Sequence, residues 1–167
     1  MDTIRVEPWL KHSGRGGKNV TCIVLHHTAG ASALSTINYL RNPLVMASYH
    51  YVIERDGKVY KCVPVGSKAW HAGLSNGPDG RNVNSYSVGI AFANKGDGEP
   101  YPQAQVDSAL ALISELRRTN PTIVWITAHR LITNRKIDPK GFGFKAFAAK
   151  TGLVKWMDDV LGRGWDG

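Results

Sequence analysis

The chain has 167 residues, 43% of them hydrophobic and 20% charged, enough to close one hydrophobic core but not several. A net charge of +8 implies a polyanionic partner, yet no Lys/Arg-rich block or aromatic stacking ladder accompanies it, so nucleic acid is not expected. Apolar runs such as Thr122 to Ala128 are too short to span a bilayer, and Met1-Asp2-Thr3-Ile4-Arg5 lacks the pattern of a signal peptide, so synthesis in a cytoplasm is expected.

In chain order, the first twenty residues, with Gly14-Arg15-Gly16-Gly17-Lys18, read as an irregular lead-in. Thr21 to His26 is a continuous apolar, β-branched run, expected as a strand covered on both faces. A helix should open at Gly30-Ala31-Ser32, run through Leu40 and stop at Asn42-Pro43. Ser48 to Arg55 and Lys58 to Val63 flank Asp56-Gly57, a strong hairpin signal. Residues 74 to 84 are rich in glycine and asparagine, hence a long loop, and Tyr86 to Ala93 reads as a strand.

Pro102 through Asn120 is the clearest helix, with Val106, Leu110, Ile113 and Leu116 at helical spacing and Pro121 ending it. Ile123 to Thr127 reads as another buried strand, delivering His129 at its end. Residues 130 to 142 read as a polar loop, and a terminal helix through Leu153, Met157 and Leu161 is expected to pack its apolar stripe on the domain. Cys22 and Cys62 sit in apolar runs and read as buried free thiols. Strands interspersed with helices give an α/β domain around one mostly buried mixed sheet.

Metal chemistry needs donor side chains that converge on one point. Cys22 and His26 can share a strand face, but at ~3.3 Å per residue they stand roughly 13 Å apart and cannot share an ion. His26 and His27 point to opposite faces, so at most one of them serves. Ligands must come from different segments that meet at strand ends: His26 or His27 from one strand, His129 from another. The loop after His129 adds Lys136-Ile137-Asp138-Pro139, a carboxylate with a lysine two residues before it. Two histidines and one carboxylate leave a fourth position open, the layout of a catalytic zinc.

Five motifs follow one another in the chain: Leu25-His26-His27-Thr28-Ala29, Ser48 through Gly57, Ala69-Trp70-His71-Ala72-Gly73, Asn84-Ser85-Tyr86-Ser87-Val88-Gly89-Ile90, and His129 through Pro139. Their succession, over roughly residues 20 to 145, resembles the type 2 N-acetylmuramoyl-L-alanine amidase family, which includes phage lysozyme-type endolysins and peptidoglycan recognition proteins. The resemblance implies one amidase domain over residues 1 to 167, a central mixed β-sheet flanked by helices, a zinc site in a groove at the strand ends, and no separate cell-wall-binding domain.

It further implies His26, His129 and Asp138 as Zn2+ ligands, Tyr49 and Lys136 as catalytic residues, and His71, Trp70 and Asn84 as substrate-binding residues. Zinc would polarise the amide carbonyl and lower the pKa of water towards ~7. Lys136 would stabilise the oxyanion, and Tyr49 would move a proton or orient the water. His50, His12 and His27 are expected to stay outside the chemistry. Ala91 departs from the bacterial members, which often place a catalytic glutamate there. The expected partner is peptidoglycan, with an anionic cell envelope as a further attractant. The expected protein is monomeric, made in a host cytoplasm and acting on the cell wall after release. A recognition protein that does not cut, a regulatory protein that binds a polymerase as some lysozyme-type phage amidases do, and a cytosolic enzyme recycling muropeptides are the rival readings.

Overall fold

Two short strands, β1 (Ile4–Arg5) and β2 (His12–Ser13), precede β3 (Cys22–His27), whose six residues are all buried in the computed structural model, which describes residues 1–157. The helix α1 (Ala33–Leu40) follows, its first turn closed by a capping box between Ser32 and Ser35. Asp56-Gly57 then turns β4 (Tyr51–Ile53) back along β5 (Val59–Lys61). Short strands β6 (Lys68–Ala69), β7 (Asn76–Gly77) and β8 (Gly80–Arg81) lead to β9 (Ser87–Phe92), again buried throughout. Next come α2 (Gln103–Thr119), β10 (Trp125–Ala128), the single turn α3 (His129–Ile132), α4 (Phe144–Thr151) and β11 (Val154–Lys155).

Among the described residues the main sheet has seven strands in the order β1-β5-β4-β9-β3-β10-β11. β3 lies parallel to both neighbours, β9 and β10, and β4 parallel to β9, while β4 and β5 are antiparallel, so the sheet is mixed. Parallel pairing lines up the C-terminal ends of β3, β9 and β10 on one edge, where the candidate ligands emerge. Residues on one face of β3 and β9, including Ile23, Leu25, Val88, Ile90 and Phe92, join Leu112, Ile113 and Leu116 of α2 and Phe144 and Phe147 of α4 in the largest core. On the other face Cys22 and Val24 pack with Ala72, Val83, Tyr86 and Ile132. Further along that face, Val52 and Ala91 pack under Ala33 and Ile37 of α1.

The departures from the sequence reading have physical causes. The lead-in is partly ordered, because β1 adds to the sheet edge beside β5 and β2 pairs with β6. Within residues 74 to 84 a two-stranded ribbon, β7 with β8, replaces a plain loop. The stripe of α2 centres on Ala109, Leu112, Ile113 and Leu116, while Val106 and Leu110 are only half-buried. Buried Gln105 shares that inner face and donates its amide to the carbonyls of Ile53 (2.9 Å) and Ala93 (3.1 Å).

Residues 130 to 142 are not simply polar loop: α3 opens them, and Arg130, Leu131, Ile132 and Thr133 are buried. The last described helix is α4, ended by Gly152 at φ 69°; Leu153 and Met157 lie beyond it, with the edge strand β11 between them. The end of the expected terminal helix, with Leu161, falls outside the described residues. Both cysteines are free and buried. No helix among the described residues is long and apolar enough to cross a membrane.

Candidate metal centre

Register brings the first two histidines together. β10 pairs with β3 so that Ala128 faces Leu25, and the next residues, His129 and His26, therefore stand level at one sheet edge. The chain returns through Asp138, whose carbonyl accepts the Arg130 backbone N–H at 2.9 Å, while the Arg130 guanidinium donates to the Pro139 carbonyl. His26 Nδ1 lies 3.1 Å from His129 Nδ1 and 3.0 Å from Asp138 Oδ2, and His129 Nδ1 lies 3.1 Å from Asp138 Oδ1. All three residues are buried. Of His26 and His27, it is His26 that the structure brings to His129 and Asp138: the His27 ring turns the other way, and its Nδ1 accepts the Lys140 backbone N–H at 3.1 Å.

This donor set fits zinc. Tetrahedral ligands at about 2.0–2.1 Å from an ion stand roughly 3.3 Å from one another, close to the 3.0–3.2 Å separations among His26 Nδ1, His129 Nδ1 and Asp138 Oδ2. Protonation also fits. Burial drives the His26 imidazole down to about 4, against the opposing pull of its Asp138 hydrogen bond, so it is neutral at neutral pH. Burial alone would raise the Asp138 carboxyl, but hydrogen bonds from His129 and His26 prevail and hold it well below the usual carboxylate range. A neutral imidazole and an ionised carboxylate are the forms that ligate metal.

Behind the cluster, His26 Nε2 lies 3.0 Å from His71 Nδ1, and His129 Nε2 lies 3.2 Å from the Ala72 carbonyl oxygen. His71 Nε2 in turn lies 3.0 Å from Ser87 Oγ. The backbone N–H groups of His71 and Ala72 both donate to Asn84 Oδ1, at 3.0 and 2.8 Å. Asn84 thus sits beneath the turn and is not among the residues that wall the groove.

In front of the cluster opens a groove of about 680 Å³, walled in part by Tyr49, Trp70, Lys136, Arg135, Met46 and Ile137. The Tyr49 ring is 5.1 Å from the His26 ring. Burial, with the nearby Asp138 charge adding to it, pushes the Tyr49 phenol above its ordinary value, so it stays protonated and can donate. Lys136 and Arg135 are exposed in the groove, and Trp70 faces it while its indole N–H donates to Ser13 Oγ at 3.0 Å. His71 borders the groove, but both of its ring nitrogens are engaged within the protein.

His50 is fully buried away from the groove, accepting the Gly89 N–H on Nδ1 at 3.0 Å. Ala91 is buried opposite His26, in an apolar cluster with Val52 and Ala93. Sequence reasoning missed Arg130 and the Ala72 carbonyl. A glycine inside a strand, Gly89, was the available signal of a close approach, because a Cβ there would stand 2.6 Å from the His71 ring.

A sequence model of the family described as N-acetylmuramoyl-L-alanine amidase matches residues 16–141. Among curated proteins the chain is similar to the 1,6-anhydro-N-acetylmuramyl-L-alanine amidase AmpD of Salmonella typhimurium, 36% identical over 109 residues, covering 64% of this chain and 58% of that protein. It is also similar to the N-acetylmuramoyl-L-alanine amidase XlyA of Bacillus subtilis, 26% identical over 122 residues, covering 71% of this chain and 39% of that protein. The chain spans about half the length of the curated relatives it matches. Among solved structures, a crystal structure of an AmpD derivative superposes with a TM-score of 0.73 at 28% identity, over 91% of this chain and 94% of that one.

Proposed function

Because the chain belongs to the type 2 N-acetylmuramoyl-L-alanine amidase family, we propose that it hydrolyses the amide bond between N-acetylmuramic acid and L-alanine in peptidoglycan, using zinc held by His26, His129 and Asp138. The observation that carries this reading is the convergence of those three buried side chains, two of which, His129 and Asp138, line an open groove. When bound, zinc supplies a Lewis acid that polarises the lactyl carbonyl and favours ionised water at neutral pH.

The rest falls to the chain's own residues. An amide reacts through a transition state with negative charge on the former carbonyl oxygen, and the Lys136 ammonium is the groove's cation for it. The departing L-alanine nitrogen needs a proton. Tyr49, kept protonated by its surroundings and adjacent to His26, is the donor, or else orients the attacking water. With alanine at position 91, no carboxylate contributes from that place in β9. Trp70 offers a flat face to sugar or peptide, and Arg135 a second cation for stem-peptide carboxylates.

The setting we propose is lytic: a monomeric phage or prophage endolysin, drawn by its +8 charge to an anionic envelope and acting on the wall after release. A second reading, cytosolic recycling of soluble muropeptides, is favoured by the similarity to the anhydromuramyl amidase AmpD. Mass analysis of products from purified sacculi and from soluble muropeptides separates these. Free L-alanine amino groups released from sacculi, without new reducing sugar ends, are expected. Release only from soluble fragments would select recycling, new reducing ends would mean a glycosidase, and binding to sacculi without release would leave a recognition protein.

A further inference from the structure

We propose that the His71-Ala72 turn, clamped by Asn84, holds both ligand histidines from behind and fixes which nitrogen each presents to the metal. His71 and Asn84 are then positioning residues rather than substrate-binding ones. The inference rests on the metal site of the proposed function and not on the bond that is cut.

Both His26 and His129 turn Nδ1 into the cluster. A neutral imidazole with its lone pair on Nδ1 carries its proton on Nε2, and in a buried ring that proton needs an acceptor. For His129 the acceptor is the Ala72 carbonyl, at 3.2 Å. For His26 it is His71 Nδ1, at 3.0 Å. His71 must then carry its own proton on Nε2, where Ser87 Oγ accepts it at 3.0 Å. The direction of the chain, His26 to His71 to Ser87, follows from metal ligation alone.

The two acceptors belong to consecutive residues, and one side-chain oxygen fixes both. Asn84 Oδ1 receives the N–H of His71 and of Ala72, and the Asn84 carbonyl is itself held by Arg15 at 3.1 Å. Gly73, at φ +58°, lets the chain leave this turn in a conformation that L side chains rarely adopt. Space for the His71 ring comes from β9, where a Cβ on Gly89 would stand 2.6 Å away. His71 is 6% exposed with both nitrogens occupied, so it has little left to offer a substrate. Partners of this kind typically change metal affinity by ~10–100-fold when removed.

The test compares His71→Phe, which keeps a ring but has no acceptor, with His71→Asn, which has no ring but keeps an acceptor near the Nδ1 position. Zinc affinity is read by competition with a chromogenic chelator, and ligand geometry by the visible spectrum of the cobalt-loaded protein. His71→Phe should bind zinc about 10–100-fold more weakly and shift the cobalt bands, while His71→Asn stays within about threefold of the parent. Wild-type affinity in His71→Phe, or equal weakening in both variants, would overturn the proposal in favour of packing. Asn84→Ala leaves the ring in place and guards against a folding failure at position 71. It should weaken zinc several-fold and alter the cobalt spectrum, and an unchanged affinity and spectrum would overturn the clamp. Neither readout requires amide hydrolysis, so a chain that fails to cut peptidoglycan yet shows these shifts would reject the proposed activity and keep this inference.

Discussion

The two faces of β3 and β9 are buried to the same degree and filled with different material. One face presents Ile23, Leu25, Val88, Ile90 and Phe92 to α2 and α4. The alternating positions, Ser87, Gly89 and Ala91, are small; imidazoles lie against the first two, His71 from a flanking segment at Ser87 and both His71 and His50 at Gly89, beside His26 on β3 itself, while Ala91 packs under α1. Apolar burial stabilises by roughly 25 cal/mol per Å². A buried imidazole gains nothing comparable and costs desolvation unless its nitrogens find partners, which these do. One face of the same strands therefore supplies stability alone, and the other adds to its own apolar clusters a set of imidazoles that supplies aim.

A double dissociation is the strongest way to break that contrast. His26→Ala should abolish zinc binding and lower turnover by on the order of a thousandfold or more, the scale of losing several kcal/mol of transition-state stabilisation. The metal-free variant should still fold. Ile113→Ala, in the fully buried centre of α2, should cost about 2–5 kcal/mol of stability and leave turnover per folded molecule near that of the parent. Denaturant titration and steady-state kinetics on both variants check this. Full zinc occupancy in His26→Ala would reassign the ligand, with His27 the first suspect.

Alternation also explains what could be read from the sequence. The strands around His26 and His129, the Asp56-Gly57 hairpin and the helix from Gln103 were legible because local pattern dictates them. So was the choice of ends at which donor residues meet, since parallel strands share an edge. The contacts of His71 and Asn84 were not legible. His71 lies in a loop and Asn84 in a single 3-10 turn (Val83–Tyr86), and what they touch is decided by contacts 45 and 12 to 13 residues away. Position 130 was misread for a related reason: a charged residue in a polar-looking stretch is buried because its guanidinium and backbone hold the Asp138-Pro139 carbonyls. The terminal helix failed where Gly152 took up a left-handed conformation and the chain joined the sheet edge instead.

A smaller effect sharpens the contrast at the boundary of the polar face, where Tyr49 meets both the groove and the α1-side cluster. Tyr49→Phe should keep zinc and stability while losing roughly two orders of magnitude in turnover, the usual scale for a proton-handling group. If the zinc-loaded variant turns over like the parent, the phenol is packing only, and the proton on the leaving nitrogen must come from elsewhere, Lys136 being another candidate that lines the groove.

The last effect concerns acid, and it separates the two faces without any substitution. Burial drives His50 down to about 3, against its hydrogen bond to the Ser67 carbonyl, and drives His26 down to about 4. In the unfolded chain each would take up its proton near the ordinary ~6.5. Between those values the unfolded state binds more protons, so stability is complete above pH ~6.5 and falls as the pH drops, by up to ~1.4 kcal/mol per pH unit for each such histidine. Asp138 acts in a lower window: its depressed carboxyl contributes stability above the ordinary ~3.9 and loses it only below that. The core residues of the apolar face include one titrating group, Tyr51, whose phenol burial pushes up to about 12, so that face should add no slope between pH 7 and pH 5. Urea denaturation of the metal-free protein at pH 7, 6 and 5 should therefore show a steady decline below pH 6.5, steeper than one histidine can give. The zinc-loaded protein should decline more steeply still, because protonation of the ligands also releases the metal. Stability that stays constant from pH 7 to pH 5 would mean the imidazoles are not held neutral by their burial, and the polar face would lose its claim to be a fixed, preorganised array.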